Sequence, residues 1–229
     1  MQKQIIISGA SGNLGQEVVK KLTALGYGLH APSRQQGLSK LSELPNVKGQ
    51  VVDLSDAADT DRFVKNTIME TGGVQAGIFL AGGYAPGKIS DTSDADLEKM
   101  FSTNFLTSFH LVKPLMEHFE AAGGGQFIFI GARPALVAEQ GAGNFAYALS
   151  KSLLFKMAEF INAEGKTKNI TATVIVPSTI DTPDNRAAMP DADFAKWIPA
   201  SDMAEGIAFV LSETGQKMRQ TVLKLYNNG

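Results

Sequence analysis

Seven short runs rich in β-branched and aromatic residues alternate with five longer amphipathic stretches, and that alternation restricts the fold of this chain more than any other feature. The predicted strands are Gln4–Ser8, Gly28–Ala31, Gly49–Val52, Ala76–Leu80, Gln126–Ile130, Thr171–Val176 and Val222–Tyr226. The predicted helices are Asn13–Leu25, Asp56–Glu70, Asp94–Ala122, Asn144–Asn162 and Asp202–Glu213, with Gly26, Gly72, Gly123 and Gly165 standing where helices should stop. Strands separated by helices pair in parallel, because the chain crosses back over the sheet between them. Most of the runs are continuously apolar, as in strands covered on both faces. The expectation is an α/β, doubly wound (Rossmann) fold: a seven-stranded parallel sheet with helices on both faces in a single domain, 1–229. The stretch Pro177–Ala200 carries four prolines and little periodicity, so 177–200 is read as a substrate loop or lid within that domain.

Composition narrows the function classes. A length of 229 residues suits one continuous core. A formal net charge of −2 gives no field that would hold a polyanion, so nucleic acid is not an expected partner. There is no cysteine, and the three histidines, at 30, 110 and 118, are scattered, so no metal site is expected. No apolar run approaches the roughly 20 residues of a membrane-crossing helix, and Met1–Ser8 leads into a strand without a cleavable signal pattern. A cytoplasmic protein acting on a small-molecule substrate, away from membranes, is the expectation.

The first strand runs into Gly9-Ala10-Ser11-Gly12-Asn13-Leu14-Gly15 and then a helical pattern, the context of a phosphate-binding turn. Gly9 permits the tight turn, Gly12 lets backbone approach a pyrophosphate, and Gly15 lets helix pack on strand, while the helix N-terminus faces the anion. The second strand leads to Ser33-Arg34 where an acidic residue would select NAD; a guanidinium beside a hydroxyl pairs with a 2′-phosphate instead, so NADP(H) is preferred over NAD(H) unless Arg34 is a solvated loop charge. Asp53 is placed to accept from an adenine amino group, with Leu54 packing on the ring, or else to cap the next helix. After the fourth strand, Ala81-Gly82-Gly83 lets a cofactor lie against backbone, or is a simple loop.

Tyr147 and Lys151 stand four residues apart in a helical pattern, hence on one face one turn apart. An ammonium near the phenol, together with an oxidised nicotinamide, favours its ionised form and draws its pKa down from about 10, making Tyr147 a candidate general acid.

Taken together, these residues resemble the short-chain dehydrogenase/reductase family over nearly the whole chain: the glycine turn, Asp53-Leu54, Ala81-Gly82-Gly83, Asn104, Tyr147 with Lys151, and Pro177 through Thr182. The resemblance implies that Lys151 also holds the nicotinamide ribose, that Asn104 orders a proton-relay water or else merely kinks or ties its helix, and that Pro177, Ile180 and Thr182 lie along the cofactor. The chain departs from the family in three places. Its glycines are spaced as in longer members, Ser178 replaces a glycine, and Gly131-Ala132-Arg133 stands where a catalytic serine is usual; Ser150 and Ser152 read as packing or surface serines. The dihydropteridine reductase branch also keeps tyrosine and lysine without the serine. It is similar here in Asp181-Thr182-Pro183, Asn185-Arg186, Met189-Pro190, Ala192-Asp193-Phe194 and Trp197-Ile198-Pro199, and in an aromatic at Tyr84. That implies hydride transfer to a quinonoid dihydropterin or another conjugated acceptor, with Tyr84, Ala132, Tyr147, Met189 and Trp197 toward substrate; Phe194 and Trp197 read equally as lid anchors. The alternatives are a ketone or 3-oxoacyl reductase and a non-catalytic NADP-binding regulator. Family members of this size pair through the helices corresponding to Leu97–Ala122 and Asn144–Asn162, so a homodimer or homotetramer is implied.

Overall fold

The computed structural model describes residues 2–42, 44 and 46–228. Its strands are β1 (Gln4–Ser8), β2 (Gly28–Ser33), β3 (Val47–Val51), β4 (Ala76–Phe79), β5 (Gly125–Ile130), β6 (Ile170–Pro177), β7 (Ile180–Asp181), β8 (Ile198–Pro199) and β9 (Thr221–Leu225). Seven of them form one parallel sheet in the order β3-β2-β1-β4-β5-β6-β9, while β7 and β8 pair separately. The helices are α1 (Asn13–Ala24), α2 (Leu38–Ser42), α3 (Ala57–Thr71), α4 (Asp94–Phe101), α5 (Thr107–Ala122), α6 (Ala138–Gly141), α7 (Phe145–Glu164), α8 (Pro183–Ala188) and α9 (Ala200–Leu211).

The continuous apolar runs are continuous because each strand feeds two cores. On β1, Ile5 and Ile7 pack with Val18, Leu22 and Ile207 under α1 and α9, while Ile6 faces Phe63, Leu115 and Leu154 under α3, α5 and α7. Phe79, Phe119, Phe127 and Phe129 fill the second core, with neighbouring ring centroids 4.9 to 6.5 Å apart. Truncating one such ring to alanine typically costs about 3–5 kcal/mol.

One helix expectation is corrected. The long helix predicted from Asp94 is broken by a wider π turn over Ser102–Leu106, so α4 and α5 are separate. The predicted stop glycines stand at helix ends: Gly72 and Gly123 close their helices in the left-handed region, Gly26 follows α1 at φ 84°, and Gly165 ends α7. Gly165 differs in having φ −79° and is glycine because a Cβ there would lie 2.6 Å from that of Ile170. Asn169, at φ 54°, makes the left-handed turn instead.

From β1 the strand order runs outward to β2 and β3 on one side, and β4 continues on the other. The connections that follow β1 and β4 therefore part from each other, leaving a crevice at the strands' carboxyl ends, where open α/β sheets hold ligands.

Candidate active site

The glycine turn forms one wall of the crevice. Gly9 sits at φ 71°, and a Cβ on it would come within 2.6 Å of the Ala81 nitrogen after β4. On Gly15 a Cβ would lie 2.2 Å from the Gly9 carbonyl oxygen, so these two glycines are enforced by backbone contact. Gly12, by contrast, is exposed and offers no side chain to cap α1. The first turn of α1 contains no acidic residue either, which leaves its amides and the positive end of its dipole available to an anion.

Beyond the turn lies a cleft of about 540 Å³ bordered by Gly12, Ser33, Arg34, Lys40 and Asp53. The Ser11 and Ser33 hydroxyls converge on Gly37, where a Cβ would sit 2.7 and 2.2 Å from them. Lys40, on α2, escaped the sequence reading; its only signal was a cation one short helix beyond Arg34. Asp53 does not cap α3, a role taken by Asp56, whose side chain accepts from Ala58 and Asp59 amides. Its own Oδ1 accepts from the Ser55 amide and hydroxyl at 2.9 and 2.6 Å, which lowers its pKa. The Leu54 carbonyl accepts from His110 Nδ1 at 2.8 Å.

Tyr147 and Lys151 lie on α7, as the spacing required. Lys151 is buried, and its ammonium donates to the Ile130 carbonyl at the end of β5 over 2.9 Å; burial brings its pKa down to about 8. Burial first, then the neighbouring Tyr84 phenol, pushes the pKa of Tyr147 up to about 12. Its hydroxyl therefore stays protonated at neutral pH.

Asn104 is fully buried on the π turn. Its Oδ1 accepts from the Gly83 amide at 2.8 Å, and its Nδ2 donates to the Gly83 carbonyl at 3.1 Å and to Ser150 Oγ at 2.9 Å. Ser150 in turn donates to the Tyr147 carbonyl over 2.8 Å. The side chain expected to order a relay water is thus occupied in tying the loop after β4 to α7. Gly82 has the same cause, since a Cβ on it would meet Asn104 Oδ1 at 2.7 Å and Lys151 Nζ at 3.3 Å.

Past Gly83 the chain carries Tyr84 against Tyr147, ring centroids 5.1 Å apart and planes at 67°. Reciprocal backbone bonds at Gly87, to the Gly143 carbonyl and from the Phe145 amide, fasten this loop to the start of α7. The Tyr84 side of the pair stays open, at 63% exposure. Ala132 is buried after β5, and next to it the Arg133 guanidinium lies 4.7 Å over the Tyr226 ring.

The 177–200 segment is more ordered than an irregular loop. Pro177 ends β6; beside it the Ser178 hydroxyl is buried without a partner among the described residues. Ile180 pairs with Ile198, and Thr182 caps α8 by accepting from the Asn185 amide at 3.2 Å. Arg186 forks onto Asp181 at 2.6 and 2.7 Å and lies over Phe194, whose ring centroid is 4.8 Å from that of Trp197. Trp197 is buried, and its carbonyl accepts from Asn227, so the structure gives it the place of a lid anchor. Met189, at the end of α8, is exposed.

Compared with known protein families, residues 3–193 match short chain dehydrogenase. The chain belongs to that family. This short chain dehydrogenase is 28% identical over 215 residues to a dihydropteridine reductase of Dictyostelium discoideum, covering 90% of this chain and 86% of the relative. It is 25% identical to a 3-oxoacyl-[acyl-carrier-protein] reductase, FabG, of Salmonella typhimurium, covering 92% and 90%. Among solved structures it superposes on ElxO with NADP bound at a TM-score of 0.90 and 19% identity, covering 98% and 97% of the two chains. The protein is thus an oxidoreductase enzyme of this family. Among the described residues, no helix is long and apolar enough to cross a membrane.

Proposed function

We propose that this short chain dehydrogenase reduces a flat, conjugated acceptor of the quinonoid dihydropterin kind with NADPH, Tyr147 giving the proton. The observation that carries the reading is the pairing of a protonated Tyr147 with an open Tyr84 ring, across a crevice in which alanine replaces the usual serine. A ketone needs its oxygen polarised by a second hydroxyl, whereas an electrophilic ring needs mainly a proton at nitrogen and a surface to stack on.

A dinucleotide suits the residues present. Gly9 and Gly12 keep the turn's backbone clear of side chains, and at the far end Ser178 leaves a buried hydroxyl without a partner. Ser11, Gly12, Asn13, Leu14 and Gly15 would hold the pyrophosphate, with Ser33, Arg34 and Lys40 at the 2′-phosphate. Asp53, Leu54, Ala81 and Gly82 would border the adenosine, and Lys151, Pro177, Ile180 and Thr182 the nicotinamide end. When bound, NADPH supplies the hydride. Tyr147 then donates its hydroxyl proton to the acceptor, while Lys151 holds a positive charge below it and Asn104 fixes the wall opposite.

Similarity to FabG favours a second reading, reduction of a 3-oxoacyl ketone; Ala132 weighs against it. A homodimer through α5 and α7 is supported by the apolar groove of Phe109, Met116, Leu153 and Phe160 on those helices, with Phe105 of the π turn at its end.

The test is NADPH consumption with quinonoid dihydropterin and with a 3-oxoacyl thioester, in the wild type and in Tyr147→Phe. We expect turnover with the pterin, lost by about a thousandfold in the variant while NADPH still binds. Undiminished turnover in Tyr147→Phe would remove the mechanism, and a preference for the thioester would move the substrate to the second reading.

A further inference from the structure

Across 171 residues of sequence, Asn13 Nδ2 donates to Asp184 Oδ2 at 2.7 Å. The two partners belong to different walls of the site. Asn13 is the first residue of α1, on the glycine turn, and Asp184 lies in the first turn of α8, on the lid. Because α1 has neither a capping side chain nor an acid in its own first turn, the lid's carboxylate, bonded to the Asn13 side chain, brings a negative charge to that helix terminus. A dinucleotide's pyrophosphate would bring two negative charges to the same turn. Like charges that close repel, and at this exposed position solvent and salt weaken the repulsion without abolishing it.

We infer that Asp184 is a latch: its carboxylate holds the lid against the glycine turn through Asn13, and the pyrophosphate of an incoming dinucleotide displaces it. The inference rests on the dinucleotide reading above and adds a coupling between cofactor entry and lid position. A molecule that is latched does not accept the dinucleotide, so the apparent affinity is the intrinsic one multiplied by the unlatched fraction, and removing the latch tightens binding. The rest of the lid does not depend on the latch. Thr182 caps α8, Asp181 and Arg186 pair, and Arg186 packs on Phe194 and Phe194 on Trp197, so Asp184→Asn should leave the lid folded while a shift of α8 still reaches Trp197 through that chain of contacts.

The experiment is isothermal titration of wild type, Asp184→Asn and Asp184→Glu with NADP+ and with NAD+ at low and high salt, together with emission of the chain's single tryptophan, Trp197. Asp184→Asn should bind both dinucleotides roughly threefold to tenfold more tightly at low salt, the gain shrinking as salt rises. Asp184→Glu should stay near wild type. Without ligand, the Trp197 emission of Asp184→Asn should shift in the direction that NADP+ produces in the wild type. Unchanged or weaker binding by Asp184→Asn overturns the latch, as does a gain confined to NADP+, which would place the carboxylate near the 2′-phosphate. Wild type that binds neither dinucleotide overturns the latch and the dinucleotide reading together.

Discussion

The glycine turn and the lid face each other across one crevice and are built in opposite ways. In the turn, the geometry is set by backbone against backbone. Gly9 abuts Ala81 and Gly15 abuts the Gly9 carbonyl, so a single added methyl collides with atoms that cannot move aside. In the lid, side chains hold side chains: Asp181 with Arg186, Arg186 on Phe194, Phe194 on Trp197. The first kind of wall fixes a position to a fraction of an ångström, which suits the proposed contact with a pyrophosphate. The second can be rebuilt by substitution without disturbing the sheet, which suits a wall that chooses the substrate. The lysine and tyrosine of α7 lie between them and belong to neither.

The comparison breaks most readily at Lys151. Its ammonium is anchored on the Ile130 carbonyl, and burial has brought its pKa to about 8, while that of Tyr147 is raised to about 12. Of the two, only Lys151 changes charge between neutral pH and pH 10. Its protonated form is the one present below 8, and it is lost as pH rises through that value. The reductive kcat/KM, which reports the free enzyme, should therefore be flat near neutrality and fall on an alkaline limb near 8. Lys151→Met should lose about a hundredfold or more in kcat and the limb with it, measured as the pH profile of NADPH oxidation. A limb that survives in the variant would assign the titration elsewhere.

On the cofactor side, the largest effect is expected at Arg34. Charge-assisted hydrogen bonds to a phosphate contribute about 1.5–3 kcal/mol, or roughly ten- to a hundredfold in affinity. Arg34→Ala should weaken NADPH by that factor in a fluorescence titration and leave NADH nearly unchanged, with Lys40→Ala acting in the same direction and less strongly. Equal losses for both cofactors would mean that Arg34 meets the shared part of the dinucleotide and that the cleft by Ser33 is not a phosphate site.

What the sequence made legible follows the same division. The doubly wound parallel sheet, the glycine turn and the Tyr147–Lys151 face were readable because they depend on periodicity and on local backbone demands, which leave a pattern in adjacent residues. Contacts between distant segments leave none. Nothing near Asn104 announced that its amide would be spent on Gly83 and Ser150, or that Gly82 is small for the sake of Asn104 rather than only for a ligand. The upward shift of Tyr147 comes from burial and from Tyr84, remote in sequence, which helical spacing cannot show. Helical spacing likewise puts Lys151 on the right face, but the direction of its ammonium is decided by a β5 carbonyl 21 residues away. In the lid, proline count and aperiodicity suggested an irregular loop, whereas two-residue strands and a six-residue helix are too short to register as periods.

The smallest expected effect sharpens the contrast on the substrate side. Tyr84 meets Tyr147 edge to face and leaves most of its ring exposed, the disposition of a surface on which a planar ligand lies. Aromatic contacts of this kind contribute about 0.5–1.5 kcal/mol beyond simple burial, equivalent to roughly two- to tenfold. Tyr84→Leu should raise KM for quinonoid dihydropterin by that factor with little change in kcat, while Tyr84→Phe, which keeps the ring, should remain within about twofold of wild type. The same pair of variants tested with a 3-oxoacyl thioester should show no such split, since an acyl chain has no face to stack. If leucine and phenylalanine behave alike toward the pterin, the ring is not a platform, and selectivity for flat acceptors must come from the lid alone. The difference between the two walls would then lie between a turn that reads the cofactor and a lid that reads everything else.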